Sequence, residues 1–166
     1  MGAIHHELLG DVAEKAIHVD ASSAYLREAR AESSRRNHTS RVTFVHADFT
    51  DVAAGLPDVD IVTLDRVVCC YPDFHTLLAA AASKSRLVLA MTYPRQTWYT
   101  SLVLRLENAL QAIRGDPFRG FLHPIGEMDR LLQDSGMVRV FLKRLFVWEL
   151  AVYKRMDAAG GDAPSD

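Results

Sequence analysis

The chain has only two cysteines in 166 residues, Cys69 and Cys70, and they are adjacent. A disulfide between neighbouring residues closes a tight, strained ring, so the sequence predicts two free thiols. With no second cysteine cluster, a structural zinc site is not expected either. We interpret both as small, partly buried side chains, and a redox or ligand-contacting role is the open alternative.

Long apolar runs and an excess of one charge are also lacking. No apolar stretch approaches the roughly 18 residues of a membrane-spanning helix, and no signal-peptide pattern opens the chain. The net charge of −2 gives no electrostatic reason to expect a nucleic-acid or membrane partner. We therefore expect a cytoplasmic protein with a small-molecule partner, and the oligomeric state stays open.

Strands that end in an acidic residue are what the sequence does contain. Three apolar runs end at Asp20, Asp48 and Asp65, and helical patterns alternate with them. Such alternation predicts an α/β fold of Rossmann-like type, with a mainly parallel sheet and helices on both faces. Ligands of open α/β sheets gather at the carboxyl ends of the strands, so the three carboxylates indicate a cofactor site. Capping of the next helix is the alternative for each.

The other elements follow from periodicity. The pattern predicts an inward stripe of Tyr25, Leu26 and Ala29 on a helix that ends near Arg36, and a longer helix over residues 98–113. Two strands near the end, 138–142 and 147–154, have little chain between them and must be antiparallel. We expect one domain over residues 1–155 and a disordered tail over 156–166.

Taken in order, these residues resemble the class I S-adenosylmethionine-dependent methyltransferases. The resemblance covers about residues 2–155 and includes the final strand pair with its Trp148–Tyr153 segment. It implies that Asp20 accepts hydrogen bonds from the ribose hydroxyls of S-adenosyl-L-methionine. It also implies that Asp48 binds the adenine amino group and that Phe49 packs on the adenine ring.

The resemblance extends to the methionine end of the cofactor. Asp65 and Arg66 would border that end, and Gly2 would let the backbone approach it. Only Gly2 stands where the family has a first strand and a glycine-rich loop. We therefore expect the strands ending at Asp20 and Asp65 each to keep an unpaired edge, and we read the chain as starting late within a longer protein or as a degenerate remnant.

The acceptor pocket is expected in the loops after the third and fourth strands and before the final pair. Most of its candidate residues are aromatic, and they are Tyr71, Tyr93, Arg95, Trp98, Phe118 and His123. His123 is a weak candidate for a general base. A histidine bonded to backbone, and aromatics that only fill the core, are the alternatives.

The resemblance predicts in-line methyl transfer to a small-molecule acceptor, in which positioning supplies much of the rate. A methyltransferase-like binding module without turnover, or an inactive truncated remnant, is the alternative function. A nicotinamide-dependent dehydrogenase shares Gly2 and Asp20, but its short-chain form needs a Tyr-x-x-x-Lys pair that this sequence lacks. We expect no metal site at His5 and His6, because helix neighbours point about 100° apart.

Overall fold

The computed structural model describes residues 3–115 and 119–156, and Gly2, Phe118 and residues 157–166 of the expected tail lie outside them. The chain divides into two compact units, one ending at Leu56 and the other beginning at Pro57. The helices and strands in chain order are α1 (Ala3–Asp11), β1 (Ala16–Asp20), α2 (Ser23–Arg35), β2 (Val42–His46), α3 (Phe49–Val52), β3 (Val59–Asp65), α4 (Phe74–Lys84), β4 (Ser85–Pro94), α5 (Trp98–Ile113), α6 (Ile125–Asp134), β5 (Met137–Arg144) and β6 (Trp148–Arg155).

The first unit is built on a parallel pair, β1 and β2, with Asp20 in register with His46. Helix α2 begins after Ser22, whose hydroxyl accepts a hydrogen bond from the Tyr25 N–H at 3.3 Å. Its buried stripe is Leu26, Ala29 and Ser33, at helical spacings of three and four. The expected inward position of Tyr25 is wrong. Tyr25 is 46% exposed, because it directly precedes Leu26 and so lies to one side of the buried stripe.

The second unit holds a four-stranded sheet in the order β3-β4-β6-β5. Strands β3 and β4 are parallel, whereas β6 is antiparallel to both β4 and β5. The predicted α/β class, the parallel pairing and the C-terminal antiparallel pair are therefore confirmed. Side chains from α4, α6 and alternate strand positions form the core: Leu64, Phe74, Leu77, Leu78, Ala81, Leu89, Met91, Met128, Leu132, Met137, Ala151 and Tyr153.

Four strands are paired on one side only within the described part of the chain, and β1 and β3 are two of them. There, β1 hydrogen-bonds with β2 alone and β3 with β4 alone. These are the strands that end at Asp20 and Asp65, as the sequence predicts.

Helix α5 has the predicted bounds but a different environment from the other long helices. Thr97 caps its start, and Gly115 follows its end with a φ of +71°, a conformation that favours glycine. Of its residues only Thr100 is buried. Most of the apolar side chains of α5 are exposed, and they are Trp98, Leu102, Val103, Leu106, Leu110 and Ile113. No helix among the described residues is long and apolar enough to cross a membrane.

Candidate functional site

Asp20 is the last residue of β1, at the carboxyl end of the parallel pair. Its Oδ1 accepts a hydrogen bond of 2.7 Å from the Ser22 N–H, which forms an Asx turn into α2. Within the described residues no hydrogen bond to Oδ2 is formed, and the side chain is half-buried. One carboxylate oxygen therefore orders the turn, and the other remains available to a ligand hydroxyl.

Asp48 lies at the same edge of this sheet, two residues beyond the end of β2. Its Oδ1 accepts two hydrogen bonds of 2.9 Å, from the backbone N–H and the hydroxyl of Thr50. It thus caps the one-turn helix α3, which the sequence analysis missed. Phe49 is the first residue of that helix and is half-buried. Asp48 therefore acts as a helix cap, which was the alternative to a cofactor contact. As a cap, its carboxylate still lies at the edge of the sheet where a ligand would bind.

Asp65 ends β3 and is fixed from the neighbouring strand. Thr92, its register partner on β4, donates its hydroxyl to Asp65 Oδ1 at 2.7 Å and accepts the Arg66 N–H at 2.8 Å. Arg66 has a φ of +57°, and its guanidinium carbon lies 4.8 Å from the ring centroid of Trp148. Thr92 was not predicted as a site residue, because cross-strand pairing carries no local sequence signal.

His123 makes the backbone contact that was the alternative to a catalytic role. Its Nε2 lies 2.9 Å from the Tyr71 carbonyl oxygen. Because a carbonyl only accepts, Nε2 carries the hydrogen and the Nδ1 of the neutral ring keeps its lone pair. The ring also lies against Phe74 and Phe121, with centroids 4.6 and 5.7 Å away.

Two of the predicted pocket residues share a narrow cavity. Tyr93 and His123 line it with Cys69 and Phe121, and its free volume of about 10 Å³ fits roughly one water molecule. Burial raises the pKa of Tyr93 to about 12, and the neighbouring Glu149 carboxylate adds to the shift. Trp98 is not part of this cavity: it is 79% exposed at the start of α5.

A wider cleft lies between α5 and the segment after residue 118. Its free volume is about 390 Å³, and Leu104, Arg105, Asn108 and Gly120 line it among others. The Asn108 amide pairs with the Gly120 backbone in both directions, at 2.8 and 2.9 Å. A side chain at Gly120 would bring its Cβ within 2.5 Å of Leu104 Cδ1. Small-molecule sites usually have volumes of about 300 Å³ or more, so this cleft has the size that the narrow cavity lacks.

Four histidines that are far apart or unrelated in the sequence analysis lie close together in the first unit. The ring of His5 lies 4.0 Å from that of His6 and 5.1 Å from that of His18, and His6 Nδ1 is 3.2 Å from His38 Nδ1. Burial lowers the pKa of His5 to about 4, and burial also lowers those of His6 and His18. No group of three His, Cys, Asp or Glu side chains in the described ranges has metal-site geometry.

Comparisons with known proteins give the family. A family model described as a methyltransferase domain matches residues 2–84, half of the chain. A search of curated proteins found no match. Several solved structures share the fold, all with sequence identities too low to show more than the fold.

Magnesium protoporphyrin IX methyltransferase from Synechocystis PCC 6803, solved with bound SAH, is 17% identical with a TM-score of 0.66 over 85% of this chain and 64% of that one. An O-methyltransferase family protein from Burkholderia thailandensis is 14% identical with a TM-score of 0.65, over 93% of this chain and 56% of that one. N,N-8-amino-8-demethyl-D-riboflavin dimethyltransferase from Streptomyces davawensis is 20% identical with a TM-score of 0.60, over 90% of this chain and 44% of that one.

The chain thus spans less than two thirds of the length of these structures. The family match includes the strand ends at Asp20, Asp48 and Asp65, and the fold match extends over both units. The chain therefore belongs to the methyltransferase domain family, within the class I S-adenosylmethionine-dependent methyltransferases.

Proposed function

We propose that the chain binds S-adenosyl-L-methionine and transfers its methyl group to a small-molecule acceptor. The observation that carries this proposal is the position of Asp20 and Asp48 at one edge of the β1-β2 pair, inside the segment that the family model matches. That edge is where open α/β sheets bind their ligands. The free vicinal thiols are typical of a reducing compartment and support a cytoplasmic location.

The donor set at the strand ends suits this cofactor. Asp20 Oδ2 would accept from the ribose hydroxyls, and Asp48 and Phe49 would hold the adenine amino group and ring. In the second unit, Asp65 and Arg66 would border the methionine end, with Gly2 as the proposed point of close backbone approach. The bound cofactor supplies an electrophilic methyl group on a sulfonium sulfur.

The chain's own residues would position the acceptor and accept its proton. Magnesium protoporphyrin IX and a riboflavin derivative are the substrates named for two of the similar structures. The cleft beside Asn108 and Gly120 has room for part of such a molecule. Because Nε2 of His123 is held on the Tyr71 carbonyl, Nδ1 is the atom that would accept a proton from an attacking hydroxyl or amine. Tyr71, Tyr93 and Trp98 are proposed to shape the surrounding pocket.

Titration of S-adenosylhomocysteine into the full chain by calorimetry tests the cofactor site. We expect Asp20→Ala to weaken binding by about 1–3 kcal/mol through loss of the ribose hydrogen bonds. Asp60→Ala is the matched control, since Asp60 is exposed at the opposite end of a sheet strand and should leave the affinity unchanged. Equal affinity of wild type and Asp20→Ala would remove Asp20 from the site.

Activity then separates an enzyme from a binding module. His123→Gln keeps an amide donor for the Tyr71 carbonyl but has no basic nitrogen, so we expect kcat to fall by about 10²-fold or more at neutral pH. His75→Gln, at an exposed histidine, is the control. Binding of S-adenosylhomocysteine with no methyl transfer across a broad acceptor panel would favour the non-catalytic module.

A further inference from the structure

Cys69 and Cys70 form a thiol pair that the proposed methyl transfer does not use. They lie in a single 3₁₀ turn, Val68–Cys70, that follows the strand end at Asp65. Their sulfur atoms are 3.6 Å apart, and each lies 3.5 Å from the Arg66 carbonyl oxygen. Cys69 is 8% exposed, whereas Cys70 is exposed. One sulfur is therefore accessible to solvent, and its partner is held directly behind it.

The two thiols differ in acidity for the same geometric reason. The contact with the Cys69 sulfur lowers the pKa of Cys70 to about 7 although burial opposes the shift. The same contact, together with burial, raises the pKa of Cys69. The accessible sulfur is thus the more acidic of the two, and its buried neighbour is the one that holds its proton more tightly. Thiolates rather than thiols react with peroxides and disulfides.

A bond between these sulfurs would involve the peptide group between them. The ring of a vicinal disulfide contains the Cys69 carbonyl and the Cys70 N–H. Here the carbonyl oxygen accepts the Phe121 N–H at 2.7 Å, and the Cys70 N–H donates to the Val67 carbonyl at 2.9 Å. Because the geometry of a vicinal disulfide is constrained, we expect ring closure to reorient this peptide and weaken both hydrogen bonds. Strained disulfides of this kind are readily reduced again.

We propose that Cys69 and Cys70 are a reversible oxidation site, in which Cys70 reacts with hydrogen peroxide and Cys69 resolves the product to a vicinal disulfide. In the first step the Cys70 sulfur attacks one peroxide oxygen and the O–O bond breaks, which gives a sulfenic acid and, after protonation, one water. In the second step the Cys69 sulfur loses its proton and attacks the Cys70 sulfur, and the S–O bond breaks with release of a second water. The thiol pair loses two electrons and two hydrogens, and the peroxide is reduced to two waters.

Oxidation at this position has a structural consequence for the segment after residue 118. That segment makes one hydrogen bond to the turn, Phe121 N–H to Cys69 O, and one to the residue after it, His123 Nε2 to Tyr71 O. Loss of the first weakens the link between this segment and the thiol pair, while the Asn108–Gly120 hydrogen bonds still hold the segment to α5. If His123 accepts the proton of the methyl acceptor, which rests on the proposed function, peroxide inhibits methyl transfer and a dithiol reductant restores it.

The test treats the reduced full chain with hydrogen peroxide, blocks residual thiols by alkylation and measures the intact mass. We expect a product that has lost two hydrogens and takes up no alkyl group, and that regains both thiols with dithiothreitol. Its formation at pH 7 should be about tenfold faster than in the urea-unfolded chain, because only the folded chain has the acidified Cys70. Alkylation of both thiols after treatment, equal rates in the two states, or disulfide-linked dimers alone would each overturn the proposal.

Single substitutions show which cysteine reacts first and which one resolves the product. Hydrogen exchange at the Phe121 amide tests whether oxidation affects the segment after residue 118. Cys69→Ser should accumulate a Cys70 sulfenic acid that dimedone traps, whereas Cys70→Ser should react more slowly by at least tenfold. If Cys69→Ser does not fold, dimedone trapping in the wild-type chain at early times decides, and an adduct on Cys69 would reverse the assignment. Hydrogen exchange at the Phe121 amide should accelerate on oxidation; unchanged exchange refutes the coupling whether or not the chain methylates anything.

Discussion

The two units differ in the partners that their buried ionisable side chains have. In the first, His6 is only 1% exposed, and the Nε2 atoms of His5, His6 and His18 have no hydrogen-bond partner among the described residues. All three rings have lowered pKa values, with burial as the largest cause. These histidines are therefore held neutral, and protonation would place charges in a buried cluster where Glu32 and Asp20 offset the effect of burial only in part.

In the second unit two of the buried polar side chains, Glu149 and Tyr153, have charged partners. The Glu149 carboxylate is 6% exposed, and its Oε1 lies 3.2 Å from Arg144 Nε. The Tyr153 hydroxyl, fully buried, donates to Asp129, which also pairs with Arg139 at 2.5 Å. Mild acid protonates the histidines of the first unit, whose pKa values are lowered by burial, at a cost in stability. The comparison predicts that the first unit loses stability at higher pH than the second.

The largest effect should come from truncating the core of each unit. Leu26 in α2 is 1% exposed and Leu78 in α4 is fully buried, so replacement of either by alanine should cost about 2–5 kcal/mol of unfolding free energy. Urea denaturation with hydrogen exchange resolved by residue measures both. Leu102→Ala, at a side chain that is 50% exposed, is the control. If Leu26→Ala left exchange in β1 and β2 unchanged, the first unit would not depend on this core.

Acid should have the next largest effect, and it should separate the units. The pKa of His5 is about 4 in the folded chain against 6.5 unfolded, so below pH 6.5 the unfolded state binds more protons. The stabilisation is complete above pH 6.5 and is lost as the pH falls towards 4. Amides of β1 and β2 should therefore lose protection between pH 6.5 and 4 before those of β4 and β6.

Replacing one histidine in each unit sharpens this acid prediction. His5→Leu should reduce the pH dependence of exchange in β1 and β2, because it removes the most strongly shifted group. His75→Leu, at an exposed histidine in the second unit, should leave the pH dependence of exchange in β1 and β2 unchanged. Parallel loss of protection in both units of the wild type would show that the histidine cluster does not set the acid response.

A smaller effect is expected at the partnered network of the second unit. Tyr153→Phe removes one hydrogen bond to Asp129 while Arg139 still pairs with that carboxylate, so the cost should be about 1.5–3 kcal/mol. Tyr25→Phe, at a 46% exposed tyrosine in the first unit, should change the urea midpoint little. A Tyr153→Phe chain as stable as wild type would mean that this buried network does not stabilise the sheet.

The sequence predicted elements best where the periodicity is strong and the ends are marked. Helix α5 has the predicted bounds because Thr97 caps it and Gly115 ends its period. Helix α3 was missed because a single turn has no period, and its only signal is Asp48 as a cap. The exposure of Leu106 on α5 was not predictable either, since periodicity defines a face but not what covers it.

The candidate site was predictable to the extent that it depends on strand ends. Asp20 and Asp65 could be placed because both close an apolar run. Thr92, the Asn108–Gly120 pairing and the His5–His18 contact depend on residues far apart in the sequence. No local pattern marks such contacts, and only the folded chain brings them together.

The smallest effect concerns the residues that follow the strand-end acids in each unit. After Asp20 the chain continues through an Asx turn to Ser22, whereas after Asp65 it passes through Arg66 at a φ of +57°. Arg66→Gly relieves roughly 1–2 kcal/mol of left-handed strain and forfeits a cation–π contact with Trp148 of about 0.5–1 kcal/mol. The urea midpoint should therefore stay nearly constant or rise slightly. Binding of S-adenosylhomocysteine should weaken if Arg66 borders the methionine end; a large loss of stability with unchanged binding would instead make Arg66 a structural residue of the second unit.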